Sequence, residues 1–267
     1  MRSDGHAVSY GERPDERRTM TIDVAFDFRT DTPTGKDPDA VSPTLRRYHE
    51  YLWSKPLPSG EVFDLSVTTR GYYQYHYLYH HHPVLGEFSL SSDAVMQTFT
   101  GNTKPAYIDQ FRESENEAFR TIAYTIGAMM IFPGNRIDGR MSINQARGCH
   151  PRIRDRFDLT VECIRLHYAN AWSPLADVLS RYANFFALFE EFRNYVSFFL
   201  LEDLITNDGS VKFFTPFDNF RPPAIPKDVG TYVEYRNRSI EFIEARNRRI
   251  EQWTFRTSGS AGEPSDW

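Results

Sequence analysis

Alternating apolar and polar positions mark short strands in the first half of the chain. Ile22, Val24, Phe26 and Phe28 alternate with polar or small residues, a pattern that predicts a half-buried strand. The same reasoning predicts three more strands, the middle one rich in tyrosine, over 62–67, 72–79 and 86–90.

Helices are predicted where apolar residues recur every three or four positions. Ser42-Pro43 supplies an N-cap and a proline at the first helical position, for a helix that ends before Pro56. Ser92 is expected to cap a short helix that runs through Phe99. Further helices are predicted over 105–111, 115–124, 175–189, 192–204 and 229–255.

The stretch from Ile126 to Tyr168 is the expected centre of the fold. Its apolar runs at 126–132 and 141–143 predict a hairpin whose connection begins with Pro133-Gly134-Asn135. A polar loop, Asn144–Pro151, then leads to a helix over about 154–168. That helix carries apolar residues on two opposite faces, so we expect it to be buried on both sides.

These elements predict one α+β domain over 20–256. Its small, mostly antiparallel sheet comes from the N-terminal half and is packed by helices of the C-terminal half. The flanking segments 1–19 and 257–267 show no periodic apolar pattern and are expected to be disordered tails.

Composition narrows the class of protein. The net charge of −5 argues against a general nucleic-acid coat, which is usually basic. Two cysteines and the absence of a secretory signal favour a reducing, cytoplasmic setting. The longest strongly apolar run, Val196–Leu201, is far shorter than a membrane span, so we expect a soluble protein without membrane contact. The oligomeric state stays open.

Several long segments together resemble a bacterial family of uncharacterised function. They include FDFRTDTPTGKDPDAVSPTLRRYHEYLWSKPLPSGEVFDL (26–65), IFPGN (131–135) and INQARGCHPRIRDRFDLTVECIRLHY (143–168). The resemblance spans about 26–250 and implies a compact bacterial or phage-borne protein. It implies no catalytic residues.

The richest candidate chemistry is cationic. The segment from Arg136 to His167 contains seven arginines and four carboxylates, which gives it a charge of +3 in an acidic chain. Because a polar loop before a helix N-terminus suits an anion, we expect a phosphate-bearing small molecule or nucleic acid to bind there. The candidate ligand residues are Asn135, Asn144, Arg147 and Arg152, with Arg147 facing a cavity and His150 as a proton carrier. Alternatively, helical ion pairs such as Arg154 with Asp158 account for these arginines.

A second candidate is carboxylate chemistry. Asp27 and Asp31 follow the first predicted strand, and Asp37 and Asp39 come soon after. Such residues serve in acid–base catalysis or bind a divalent cation as cofactor, and Asp27, Asp31 and His150 are the catalytic candidates. Joined to the arginine loop, they would favour metal-assisted phosphate chemistry. Ordinary turn chemistry beside proline and glycine is the alternative.

Two candidate metal sites have less specific sequence patterns, and we assign no metal ligand. Cys149 and His150, together with Cys163 and His167, supply four soft ligands, but adjacent Cys and His is not a usual zinc spacing. The pair His80 and His82 would share one face of a strand without a third ligand at a recognisable spacing.

Two function hypotheses follow. The first is an enzyme or sensor that binds or processes a phosphate-bearing ligand at the arginine-rich loop. The second is a non-catalytic protein-interaction module of a bacterial or phage system. Whether the protein is an enzyme stays open, since the sequence contains no phosphate loop, dinucleotide fingerprint or nucleophile elbow.

Overall fold

A computed structural model describes residues 20–70, 75–99 and 104–259. The predicted tail 1–19 lies outside these residues, as do Tyr72 and Tyr73 of the tyrosine-rich segment. Of the predicted tail 257–267, residues 257–259 belong to the last helix and the rest lies outside the described chain.

The described chain forms α-helices and one sheet. The helices are α1 Pro38–Val41, α2 Pro43–Trp53, α3 Glu113–Ala123, α4 Ile143–Cys149, α5 Phe157–Tyr168, α6 Ala176–Arg181, α7 Ala183–Ala187, α8 Phe192–Phe198 and α9 Val229–Gly259. The strands are β1 Ser66–Arg70, β2 Tyr75–His82, β3 Gly86–Ala94 and β4 Met129–Pro133. Single turns of 3-10 helix occur at Ala106–Gln110, Ile126–Ala128 and Glu202–Leu204.

The four strands pair in the order β1-β2-β3-β4, and every pairing is antiparallel. In the last pairing Leu90 lies opposite Pro133 and Asp93 lies opposite Met130. All residues of β4 are buried, as expected for a strand that helices cover. The predicted α+β class, with its small antiparallel sheet, is confirmed.

Two predicted helices form for the reasons that the sequence suggested. The Ser42 hydroxyl accepts a hydrogen bond of 3.1 Å from Leu45 N at the start of α2, as an N-cap does. Helix α5 buries both of its faces, because Leu159 is buried along with the opposite-facing Phe157 and Val161. The two-sided burial predicted for α5 is therefore confirmed.

Helix α9 is joined to β4 by a buried arginine. Arg246 Nη1 donates to the carbonyl oxygens of Gly127 and Met129 at 2.9 Å each, and Nη2 donates to that of Phe199 at 3.0 Å. Burial lowers the pKa of Arg246 to about 9. Beside it Asn247 Oδ1 accepts from Gly127 N at 2.7 Å, where a β-carbon on residue 127 would overlap Asn247.

Two predicted elements near the N-terminus and the sheet were wrong. Residues 22–28 form turns instead of a strand, because Asp23 and Asp27 accept hydrogen bonds from backbone N–H groups two residues on. Ser92 does not cap a helix, since β3 continues to Ala94 by pairing with β4.

The predicted hairpin was also wrong at its second strand. Residues 141–143 pair with no strand of the described sheet, and β4 pairs with β3 instead. The predicted loop Asn144–Pro151 is mostly helix α4, because Ser142 and Gln145 form a reciprocal capping box. The continuous helix expected over 192–204 stops at Phe198, and Leu200 adopts a φ of 55°.

Candidate functional site

Helix α4 carries two of the four predicted ligand residues to the end of β3. Asn144 Nδ2 donates to Ser91 Oγ at 3.2 Å, and Arg147 forms an ion pair with Asp93. The other two predicted residues, Asn135 and Arg152, are exposed. The backbone oxygen of Asn135 accepts a hydrogen bond from the Tyr182 hydroxyl at 2.5 Å.

The Arg147 side chain is fully buried and is held by protein groups on all sides. Its Nε donates to Thr160 Oγ1 at 3.0 Å, and its Nη2 donates to the Asp155 carbonyl oxygen at 3.3 Å. Its Nη1 donates to the Asp93 carboxylate. The guanidinium carbon lies 5.3 Å from the centre of the Phe132 ring. The prediction that Arg147 faces a cavity was wrong, because its buried guanidinium is fixed against the Asp93 carboxylate and Thr160.

The short helix α1 brings a second carboxylate to the same place. Asp39 Oδ2 accepts a hydrogen bond of 2.6 Å from Ala94 N, directly after Asp93. Asp37 caps α1 by accepting from Asp39 N at 3.2 Å. We call this group of side chains the Asp39–Asp93 cluster, and it consists of Asp37, Asp39, Asp93, Asn144, Arg147 and Asp155.

Both central carboxylates hold their protons more tightly than usual. Burial raises the pKa of Asp93 to about 6, a rise that Arg147 opposes and that Asp155 and Asp37 strengthen. Burial, followed by repulsion from Asp37 and Asp93, raises the pKa of Asp39 well above its ordinary value. Within the described part of the chain the single guanidinium therefore does not offset the desolvation and crowding of the carboxylates.

Two acceptor oxygens of the cluster have no hydrogen-bond donor. Asp39 Oδ1 and Asn144 Oδ1 are buried, and no described residue donates to either. Buried polar atoms without a partner are uncommon in folded proteins, so each calls for an explanation. Such oxygens would accept from the N–H or O–H groups of a ligand, or would coordinate a cation.

The catalytic candidates from the sequence serve local structure. Asp27 accepts from Arg29 Nη2 at 2.6 Å, and Asp31 accepts from Ser42 Oγ at 2.6 Å, beside the start of α2. His150 Nδ1 accepts from Arg152 N at 3.2 Å, and burial, followed by the charge of Arg152, lowers its pKa. Neither Asp27 nor Asp31 contacts Arg147; the loop that carries them continues into α1, where Asp39 binds the backbone N–H next to Asp93.

Asp93 was missed by the sequence reasoning because it was assigned to a helix. Its side chain meets Arg147 across 54 residues of sequence, and no local pattern announces such a contact. The one available signal was the alternation of Phe88 and Leu90, both buried, which indicates a strand heading towards Asp93.

Metal ligands are not grouped in the residues that the structure describes. Nowhere among them do three or more His, Cys, Asp or Glu side chains come together to hold an ion. Cys163 is buried, which raises the pKa of its thiol to about 12, whereas Cys149 is exposed. His80 is buried and stacks on Phe88 with 6.1 Å between the ring centres.

Exposed apolar side chains bear on the interaction hypothesis. Large apolar residues of the described chain that are exposed occur in separate segments: Val62, Tyr77, Val84, Met141 and Trp172. Isolated exposed apolar residues are ordinary on protein surfaces, so they do not by themselves indicate a docking site. No described helix combines the length and apolarity needed to cross a membrane.

Comparison with known proteins identifies the family. The model of DUF6994, a family of unknown function, matches residues 22–250, and the chain belongs to this family. The chain matches no curated protein and no solved structure at a significant level.

Proposed function

We propose that this member of DUF6994 binds and processes a phosphate-bearing small molecule at the Asp39–Asp93 cluster. One observation carries the proposal. Asp93 pairs with the buried Arg147, and Asp39 binds the next backbone N–H group. Both carboxylates have a raised pKa, and two buried oxygens of the cluster have no described donor. Strongly perturbed carboxylates of this kind concentrate at functional sites.

The unsatisfied oxygens favour a ligand with hydrogen-bond donors. Asn144 Oδ1 accepts only, as does Asp39 Oδ1 when the carboxylate is ionised, and a hydroxyl-bearing or amine-bearing ligand supplies the missing protons. Sugar phosphates and nucleotides combine such donors with a phosphate group.

The phosphate itself is assigned to the turn between α4 and α5. Arg152 and Arg154 lie on this turn, next to Asp155, whose carbonyl oxygen accepts from Arg147 at 3.3 Å. In the described chain neither guanidinium forms an ion pair or a side-chain hydrogen bond. Arg154 adopts a φ of 46° and Asp155 a φ of 58°, a strained backbone of the kind found at functional turns.

Asp93 is the group suited to proton transfer. With a pKa raised to about 6, it exists in both protonation states close to neutral pH, as a general acid or base requires. Arg147 acts as a positioning residue, because it holds the Asp93 carboxylate and limits the rise of its pKa.

Binding can be tested by thermal shift. The probes are inorganic phosphate, ribose 5-phosphate, AMP and ATP, each with and without Mg²⁺. We expect at least one organic phosphate to raise the melting temperature of the native protein by several degrees, and added salt to weaken the effect.

Matched variants locate the site. Changing both Arg152 and Arg154 to alanine should abolish the shift. Arg140→Ala should preserve it, because Arg140 is exposed and pairs with Asp138 only at 3.8 Å. No shift with any probe, or an equal loss in the Arg140 control, would overturn the proposal and favour a protein-interaction role.

A further inference from the structure

A cleft lies between the chain after α2, helix α8 and helix α9, and no residue of the Asp39–Asp93 cluster lines it. Its volume is about 560 Å³, within the usual range of small-molecule sites. Both apolar and polar side chains line it, among them Lys55, Ser197, Phe198, Glu202 and Trp253. We call it the Lys55 cleft.

The Lys55 amine is surrounded by aromatic rings. Its Nζ lies 5.0 Å from the centre of the Trp53 ring, 4.7 Å from Phe198 and 5.1 Å from Trp253. No described residue forms a hydrogen bond or an ion pair with it, although Glu202 lines the same cleft. A lysine amine on the wall of a cleft and without a fixed partner is available to a ligand.

Desolvation of the Lys55 amine favours its neutral form. Burial lowers the pKa of Lys55 to about 7, an effect that Glu202 opposes and Arg246 reinforces. A large fraction of Lys55 is therefore unprotonated at neutral pH. The neutral amine is the nucleophilic form, and desolvated lysines of this kind form imines with carbonyl compounds.

We propose that the Lys55 cleft binds a small planar aldehyde or ketone and that Lys55 forms an imine with it. The amine nitrogen attacks the carbonyl carbon, and a C=N bond replaces the C=O bond. The carbonyl oxygen departs as water with the two protons of the amine, so no oxidant or reductant is needed. Phe198 and Trp253 offer their rings to a planar ligand, and Glu202 supplies a carboxylate for the proton transfers.

Three other lysines provide internal controls. Lys104 forms an ion pair with Asp109, Lys227 lies 3.9 Å from Asp228, and Lys212 Nζ donates to the Asp203 carbonyl oxygen at 3.1 Å. Each of these amines has an oxygen atom as a neighbour, whereas the Lys55 amine is surrounded by rings. Selective reaction at Lys55 would thus reflect its surroundings.

The test is imine trapping on the full-length chain. The protein is incubated at pH 7 with pyridoxal, then reduced with borohydride, and its peptides are mapped by mass spectrometry. We expect the adduct on Lys55 to be at least ten-fold more abundant than that on Lys212 or Lys227. Equal labelling of these lysines would overturn the proposal, as would labelling that misses Lys55.

Two variants complete the experiment. Lys55→Met should lose the dominant adduct, whereas Lys227→Met should keep it. No residue of the Asp39–Asp93 cluster takes part in the proposed reaction, so the adduct does not report on that cluster. The wild-type map remains decisive even if Lys55→Met fails to fold. An absence of selective labelling at Lys55 would therefore not contradict the phosphate proposal. An absence of phosphate binding would likewise not contradict imine formation at Lys55.

Discussion

Replacing Arg147 by alanine should destabilise the protein strongly, although the sequence predicts Arg147 to be a ligand-binding residue. The side chain has 0% exposure, and its guanidinium donates to Asp93, Thr160 and the Asp155 backbone. Removing it leaves the desolvated Asp93 carboxylate without its cation. Breaking a buried ion pair in this way costs about 3–5 kcal/mol.

The comparison residue is Arg165 on the outer side of α5. It forms an ion pair of 2.8 Å with Glu162, but its side chain is 34% exposed. Because solvent screens such a pair, Arg165→Ala should cost under about 1 kcal/mol. The two arginines are therefore predicted to differ by several-fold in their contribution to stability.

The cost of Arg147→Ala should also depend on pH. The pKa of Asp93 is already raised to about 6, and Arg147 is the neighbour that opposes the rise. A raised carboxyl pKa means that the folded state binds the proton more tightly, so stability falls as pH rises towards that pKa. Without Arg147 this pKa rises further, and the loss of stability should be larger at pH 7 than at pH 5.

Urea denaturation at pH 5 and pH 7 measures these free energies of unfolding. We expect Arg147→Ala to lose more stability than Arg165→Ala, and to lose more at pH 7 than at pH 5. A loss below about 1 kcal/mol would refute it, because breaking a buried ion pair is expected to cost more than that. Identical losses at the two pH values would refute the role given to Asp93.

Three other stability predictions follow from buried groups, each measured by urea denaturation. Ile164→Ala should cost about 2–5 kcal/mol, because Ile164 is fully buried in α5; a loss under 1 kcal/mol would contradict its place in the core. Arg246→Met should cost at least about 3 kcal/mol, since it leaves three buried carbonyl oxygens unbonded. Lys55→Met should stabilise the protein most below pH 7, because a lysine with a lowered pKa weakens the fold wherever it is protonated. Stability gained only above pH 10 would contradict that assignment.

The sheet and two of the main helices were accessible from the sequence because their signals are local. Aromatic and apolar runs located β2, β3 and β4, whereas the strand expected over 62–67 overlaps β1 only at its end. Ser42-Pro43 located the start of α2. Helix α4 was not predicted, because its capping residues lie in a stretch that is polar overall. The turns at 22–28 were not predicted, because aspartate side chains accept hydrogen bonds from the backbone N–H groups that a strand would use.

The candidate sites were less accessible, because they depend on contacts between distant segments. Asn144 and Arg147 were identified from their residue types, but the partner that fixes Arg147 is Asp93 on β3. Lys55 gave no signal of its own, since two of the rings around it, Phe198 and Trp253, come from helices far along the chain. Residue chemistry suggested which groups matter, and the tertiary fold decides what they contact.

The central claim is that Asp39 Oδ1 accepts a hydrogen bond from a phosphate-bearing ligand. Asp39→Asn tests it, because an amide that keeps its oxygen towards Ala94 N presents an N–H₂ group where the ligand donor would arrive. The matched control is Asp218→Asn, an exposed carboxylate 3.5 Å from Arg221.

Calorimetric titration of these two variants and the native protein with ribose 5-phosphate, AMP and ATP in the presence of Mg²⁺ is the most direct measurement. We predict that the native protein and Asp218→Asn bind the same member of this set with equal affinity. Asp39→Asn should bind it at least ten-fold more weakly while it unfolds at a similar temperature. Equal binding by all three proteins, or binding by none of them, would contradict the assignment of the ligand site to this cluster.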